Sequence, residues 1–159
     1  MFKNKIVSLK ALLSKLPALR RQKKVIAFTN GCFDLMHEGH VSYLEKAKKN
    51  SRILIVGLNS DKSIQTIKGK NRPICPQRSR AAVLASLACV DFVILFDEAT
   101  PYKLIAAIGP DVLVKGADYK ANEVAGADIM KARGGKIELL PLVKGFSTTQ
   151  IVKKILASS

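Results

Sequence analysis

Residues 25–48 read VIAFTNGCFDLMHEGHVSYLEKAK. A β-rich apolar run at 25–29 enters a turn at Asn30-Gly31, and His37-Glu38-Gly39-His40 then opens an amphipathic helix. Strand, loop and helix start together make an anion site. The first N–H groups of a helix have no partner within it, and the helix dipole adds about half a positive charge there. At the carboxyl end of a parallel strand, this is also where open α/β sheets take up ligands. His37 and His40 are the only histidines in the chain and stand three apart, so both imidazoles can face one bound phosphate. An imidazole N–H donates to a phosphate oxygen more strongly as charge develops in a transition state, and Gly39 leaves room for close approach. Zinc ligation is the competing reading, but helical zinc pairs use i, i+4 spacing with a third ligand, and none is evident here. A purely structural pair leaves Asn30, Gly31, Asp34 and Gly39 unexplained.

Outward from this stretch, short β-rich runs alternate with helix-period segments, the pattern of a parallel sheet covered by helices. Strands are expected at 25–29, 52–58, 91–96, 111–115 and 136–142. Helices are expected at 39–50, 61–67, 76–88, 100–108, 122–133 and 148–157, with Asn50, Gly109-Pro110 and Gly134-Gly135 as stops. The fold class is α/β: a single Rossmann-like domain, a five-stranded parallel sheet with helices on both faces. Ahead of it, 1–24 reads as a basic helical extension and 25–159 as the domain proper. Leu9, Leu12, Leu13 and Leu16 form one apolar helix face behind the N-cap candidate Ser8, and Pro17 is expected to end that helix. It packs on its own domain, lies on an anionic membrane or grips a partner; the sequence leaves these open.

With 159 residues, 48% of them hydrophobic, the chain has enough core for one domain and too little length for two. No apolar run approaches the roughly 20 residues that cross a bilayer, and no secretory signal is visible, so a cytoplasmic protein without a membrane span is expected. Cys32, Cys75 and Cys89 are odd in number and unpaired in spacing, which points to reduced thiols. The formal net charge of +15 attracts anions without choosing among them. Eight basic residues (Lys3, Lys5, Lys10, Lys15, Arg20, Arg21, Lys23, Lys24) precede the first acid, Asp34.

The run NGCFDLMHEGH at 30–40 resembles the signature of the cytidylyltransferase-like nucleotidyltransferases, whose HxGH motif holds the triphosphate of the incoming nucleotide. GFSTTQI at 145–151 resembles their second motif, (I/S)STT followed by a helix, although Phe146 stands where a small residue or cysteine is usual. Class I aminoacyl-tRNA synthetases share HxGH, but the chain is short for them and lacks a KMSKS partner. VGLNSDKSI at 56–64, KGKNRPICPQRSRAAVLASLACVD at 68–91, PDVLVKGADY at 110–119 and GFSTTQIVKKI at 145–155 resemble, within that superfamily, the heptose 1-phosphate adenylyltransferases that make ADP-heptose.

That resemblance implies His37, His40, Lys68 and Thr148 as catalytic residues. It implies nucleotide contacts from Asn30, Gly31, Cys32, Phe33, Gly39, Lys115, Gly116, Asp118, Tyr119, Ser147 and Thr149. Ser147, Thr148 and Thr149 also suit a phosphate or a plain cap at the start of the last helix. For the sugar phosphate the candidates are Asp34, Asn59, Arg72 and Arg80. Arginine suits bidentate phosphate contact, with a structural ion pair as the equal alternative for Arg80. Asp34 faces the sugar, helps to hold magnesium or caps its own turn. The implied reaction joins AMP from ATP to D-glycero-β-D-manno-heptose 1-phosphate, with Mg²⁺ held through the ATP phosphates and no metal site built by the protein. The implied partners are a separate upstream sugar kinase and a second copy in a homodimer. A cytidylyltransferase acting on glycerol 3-phosphate or a phospho-alcohol is the rival within the class. A nucleic-acid-binding module is the rival outside it, disfavoured by only three Tyr and six Phe and by the lack of a nucleic-acid motif.

Overall fold

The computed structural model describes residues 1–49, 52–141, 143, 145 and 147–158. The five β-rich runs become β1 (Val25–Gly31), β2 (Arg52–Asn59), β3 (Phe92–Phe96), β4 (Val112–Gly116) and β5 (Lys136–Leu140). They pair in the order β3-β2-β1-β4-β5, every pair parallel. Connections from β1 run one way across the sheet and those from β4 the other. The ends of β1 and β4 therefore flank the topological switch point, where such sheets open a crevice.

Between the strands lie α2 (Glu38–Lys48), α3 (Asp61–Lys68), α4 (Gln77–Ser86), α5 (Tyr102–Ile108) and α6 (Ala127–Ala132), with α1 (Leu9–Arg21) before the sheet and α7 (Thr148–Ala157) after it. Alternate strand residues feed two cores. Ala27, Leu54, Val56 and Leu58 pack with Leu44 and Ala47 of α2 and with Ala81, Leu84 and Ala85 of α4. Ile26, Phe28, Ile55 and Leu113 face the other way, against Leu12 and Leu16 of α1, Leu104, Ile105 and Ile108 of α5, and Met130 of α6. Both faces of the sheet are thus buried, which is why its strands read as apolar runs rather than alternations.

The leading basic segment is fastened at both ends. Ile6 forms a parallel bridge with Val93, Val7 N–H donates to the Val93 carbonyl at 3.0 Å, and Lys5 Nζ reaches the Leu87 carbonyl at 2.9 Å. Ser8 caps α1 as expected, accepting from Ala11 N–H at 3.2 Å. Pro17 does not end α1, which continues to Arg21. The turn beyond the proline is held by tertiary contacts: Leu19 packs on the core, and the Arg20 guanidinium donates to the Ile108 and Gly109 carbonyls at 2.9 and 2.6 Å. Proline removes one helix bond and strains one turn, and packing offsets that loss. Leu13, expected on the buried face, is 36% exposed.

The helix expected at 122–133 is two pieces, a 3₁₀ turn at Ala121–Glu123 and then α6. Gly126 separates them with φ of +89°, and a Cβ there would lie 2.9 Å from Ile105 Cδ1, so the chain turns where only glycine fits. The last strand, expected to reach 142, ends at Leu140; Leu142, Asn50 and Phe146 lie outside the described residues.

Candidate active site

The crevice at the switch point is a cavity of about 900 Å³, the size of a nucleotide-scale ligand site. Its floor is the loop from β1 to α2. Phe33 and Leu35 both take left-handed backbone, with φ of +44° and +49°. For non-glycine residues this stores strain of about 1–3 kcal/mol each, the kind that persists where a site needs it. Phe33 folds back over Gly31, where a Cβ would come within 3.0 Å of the ring, and then meets the His40 imidazole with centroids 5.4 Å apart.

His37 is the N-cap of α2, and His40 sits in its first turn. Their rings stack at 3.9 Å with 24° between planes. The His40 and Val41 N–H groups bond back to the His37 carbonyl at 2.9 and 3.3 Å, leaving the earlier N–H groups of Glu38 and Gly39 at the open helix start. Burial depresses His40 to about 4, helped by the neighbouring His37 and by Lys68, and burial also lowers His37. Both imidazoles are therefore neutral near pH 7. Nδ1 of His40 is buried with no hydrogen-bond partner among the described residues, the mark of a polar atom awaiting a ligand. Lys68, the last residue of α3, lines the same cavity, and its positive charge is felt by His40.

On the β4 side, Lys115 is 7% exposed, and its ammonium donates to the Asn30 carboxamide from the adjacent strand end. Burial pushes it down to about 8, with Asp118 pulling the other way, and the Tyr119 ring lies 5.5 Å below the ammonium. At the start of α7, Ser147 caps the helix by accepting from Gln150 N–H at 3.1 Å. The Thr148 hydroxyl donates to the Asp34 carbonyl at 2.6 Å. Its one proton is committed there, so the donors left open at this helix start are the backbone N–H groups of Thr148 and Thr149.

The cavity gathers every residue expected in it except Arg80. Arg80 is 2% exposed and spends its guanidinium inside the protein: on the carbonyls of Cys75, Cys32 and Asn59 at 2.9, 2.7 and 2.8 Å, and on Asp61 Oδ1 at 2.7 Å. The structural alternative holds for this residue. The Asp34 carboxylate touches the cavity, yet its oxygens accept from Ile74 and Cys75 N–H at 2.8 and 2.9 Å and pair with Arg72 at 3.4 Å. It caps a distant loop rather than its own turn. Asn59 donates to Ser63 Oγ at 2.9 Å, and Arg72 lines the wall.

Tyr43 escaped the sequence reading, although it stands one turn beyond His40 on the same helix face. Its hydroxyl shares a 2.8 Å hydrogen bond with Thr29, and burial pushes it up to about 12. Thr100, Pro101 and Glu123 also line the cavity from distant loops that carry no local signal.

A sequence model of cytidylyltransferase-like proteins matches residues 28–154, the span holding the histidine loop and the Ser147-Thr148-Thr149 cap. The chain belongs to the cytidylyltransferase-like family. Among curated relatives, it is 54% identical to the bifunctional protein HldE of Helicobacter pylori over 95% of its own length and 31% of the relative's. It is 51% identical to that of Campylobacter jejuni subsp. doylei (97% and 32%) and 48% identical to that of Citrifermentans bemidjiense (98% and 32%). The chain thus spans about a third of the length of these relatives. Among solved structures, the lipopolysaccharide core biosynthesis protein of Thermoplasma volcanium superposes with a TM-score of 0.59 at 28% identity, covering 77% of this chain and 98% of that one. The Francisella tularensis pantoate-β-alanine ligase, solved with βγ ATP and β-alanine, shares the fold with a TM-score of 0.62 at 20% identity, over 96% and 77% of the two chains.

Proposed function

We propose that this cytidylyltransferase-like chain is an adenylyltransferase that joins AMP from ATP to D-glycero-β-D-manno-heptose 1-phosphate, releasing pyrophosphate and giving ADP-heptose for a lipopolysaccharide core or another heptose-containing glycan. The observation that carries this reading is the stacked, neutral pair His37 and His40 at the open start of α2, beside Lys68, in a crevice of nucleotide size. The identities of 48 to 54% to HldE proteins support the choice of heptose.

A phosphate oxygen of the sugar attacks the α-phosphorus of ATP in line. The new P–O bond forms as the bond from the α-phosphorus to the bridging oxygen breaks, and pyrophosphate leaves with that electron pair. A phosphate monoester is already nucleophilic at neutral pH, so the protein's work is positioning and charge stabilisation. Each neutral imidazole gives one N–H toward the triphosphate, Lys68 gives a point charge, and the α7 start at Thr148 gives backbone N–H groups. Asn30, Gly31, Lys115 and Tyr119 border the space left for the nucleoside.

Mg²⁺ bound to ATP neutralises its phosphates when present. The donor set fits a cation that arrives on the nucleotide: no three His, Cys, Asp or Glu converge among the described residues, and N–H donors occupy Asp34. A sugar kinase supplies the heptose 1-phosphate, the active species is a homodimer, and the reaction runs in the cytoplasm, where ATP and the free thiols of Cys32, Cys75 and Cys89 are both at home. No described helix is long and apolar enough to cross a membrane.

Pyrophosphate release is the test, with ATP or CTP offered against heptose 1-phosphate or glycerol 3-phosphate, in Mg²⁺ and then in EDTA. Turnover confined to ATP, heptose 1-phosphate and Mg²⁺ is expected. CTP-driven turnover would keep the reaction class and overturn the assignment to ADP-heptose synthesis.

A further inference from the structure

Two buried charges grip the same pair of loops from opposite sides. Asp34, 6% exposed in the loop after β1, accepts from Ile74 N–H and Cys75 N–H through its two carboxylate oxygens, at 2.8 and 2.9 Å. Arg80, 2% exposed on α4, donates to the carbonyl of Cys75 at 2.9 Å and to that of Cys32 at 2.7 Å. Residue 75 is thus held by its N–H and by its carbonyl, each on an ionised partner. Charge-assisted bonds of this kind are about twice as strong as neutral ones. Arg80 is further anchored to the Asn59 carbonyl and to Asp61.

The clamp has a working end on each side. Arg72, on the cavity wall, pairs with Asp34 Oδ2 at 3.4 Å, and the Asp34 main-chain carbonyl takes the Thr148 hydroxyl at 2.6 Å. One residue therefore joins the 72–75 loop, the histidine loop and the start of α7. Neither Asp34 nor Arg80 has donors or acceptors to spare for a large share of a ligand. Arg72 has, because a guanidinium carries five N–H donors and its one described side-chain partner is Asp34.

We propose that Asp34 and Arg80 are positioning residues, a two-sided clamp that fixes Arg72 against the phosphate of the acceptor substrate. The start of α7 is held by the Asp34 main-chain carbonyl, which a side-chain change leaves in place, so affinity for that acceptor depends on the charges of the clamp more than affinity for the nucleotide does. The inference rests on the reading of the crevice as a nucleotidyltransferase site with Arg72 among its sugar-phosphate candidates, and goes beyond it by giving Asp34 and Arg80 a role exerted through Arg72.

The test uses the full chain with Asp34→Asn. The change keeps the size of the side chain, but removes the charge facing Arg72 and sets an amide against one backbone N–H. Arg80→Lys is the second variant, keeping the buried charge while reaching fewer of the four acceptors. In both, the KM for heptose 1-phosphate is expected to rise about tenfold or more, the KM for ATP to stay within about threefold, and Arg72→Ala to reproduce that split. Hydrogen exchange at the Ile74 and Cys75 amides, read without any substrate, is expected to quicken about tenfold in Asp34→Asn. Unchanged exchange at those amides overturns the clamp. Equal rises in both KM values, or a fall in kcat with neither KM moved, overturns its assignment to the acceptor. If the unaltered chain fails to turn over heptose 1-phosphate, the proposed function falls, and exchange alone decides the clamp.

Discussion

At the scale of single residues, the stacked histidines carry the chemistry of the proposed reaction and are also where the sequence was most legible. Two histidines three apart, with a glycine between them and a strand before them, specify a helix start that presents both rings to one ligand. Replacing either with alanine should lower kcat by about a hundredfold to a thousandfold, the scale of losing one preorganised donor, while thermal unfolding stays close to that of the unaltered chain. Near-normal turnover in either variant would remove the histidines from the mechanism. His40 also ties the site to pH. The unfolded chain binds a proton there near 6.5 but the folded chain only near 4, so between those values the unfolded state holds more protons and stability falls as pH falls. Thermal melts from pH 7 down to 4 should therefore slope less in His40→Asn, and an unchanged slope would contradict the assignment. Roles that depend on distant partners were not legible. Nothing local in Asp34 or Arg80 says that one caps residues 74 and 75 and the other is sealed under the crevice, because those partners arrive from 40 and 48 residues away in sequence.

At the scale of elements, hydrophobic period and stop residues located the strands and most helices because both are local signals. The misses came where long-range packing overrode them. Leu19 and Arg20 carry α1 past Pro17, and Ile105 imposes a glycine turn on the helix expected at 122–133. Gly57 in β2 shows the same dependence on the neighbouring element. A Cβ there would lie 2.8 Å from Phe28 Cζ and 3.2 Å from Leu104 Cδ2, so the strand, the ring beside it and α5 close on one another only without a side chain. Gly57→Ala should destabilise by about 1–3 kcal/mol, as overpacking of a rigid core does, seen as a lower urea midpoint with the slope unchanged. A midpoint at or above that of the unaltered chain would show that the ring yields freely.

For the molecule as a whole, the sheet order places the reversal between β1 and β4, and all the candidate chemistry converges there from segments spread between residues 30 and 149. Strand order is not a local property, so the sequence announced the alternation of elements but not the order in which the strands pair. The net charge of +15 acts at the same scale. In the proposed reaction a triphosphate and a sugar phosphate approach a strongly positive body, and raising salt from about 0.1 M to about 1 M shortens the screening length from about 10 Å to about 3 Å. Over that range kcat/KM for ATP should fall about tenfold with kcat little changed, and an insensitive kcat/KM would mean that the charge serves something other than substrate capture.

³¹P NMR of the full chain with ATP, heptose 1-phosphate and Mg²⁺ reads the proposed transfer of AMP to the sugar phosphate in one tube. Paired resonances of a sugar nucleotide diphosphate should grow in step with free pyrophosphate, in equal amounts, as those of ATP and the sugar monoester decline. Growth of ADP or inorganic phosphate in place of those signals, or spectra that do not change, would contradict the claim.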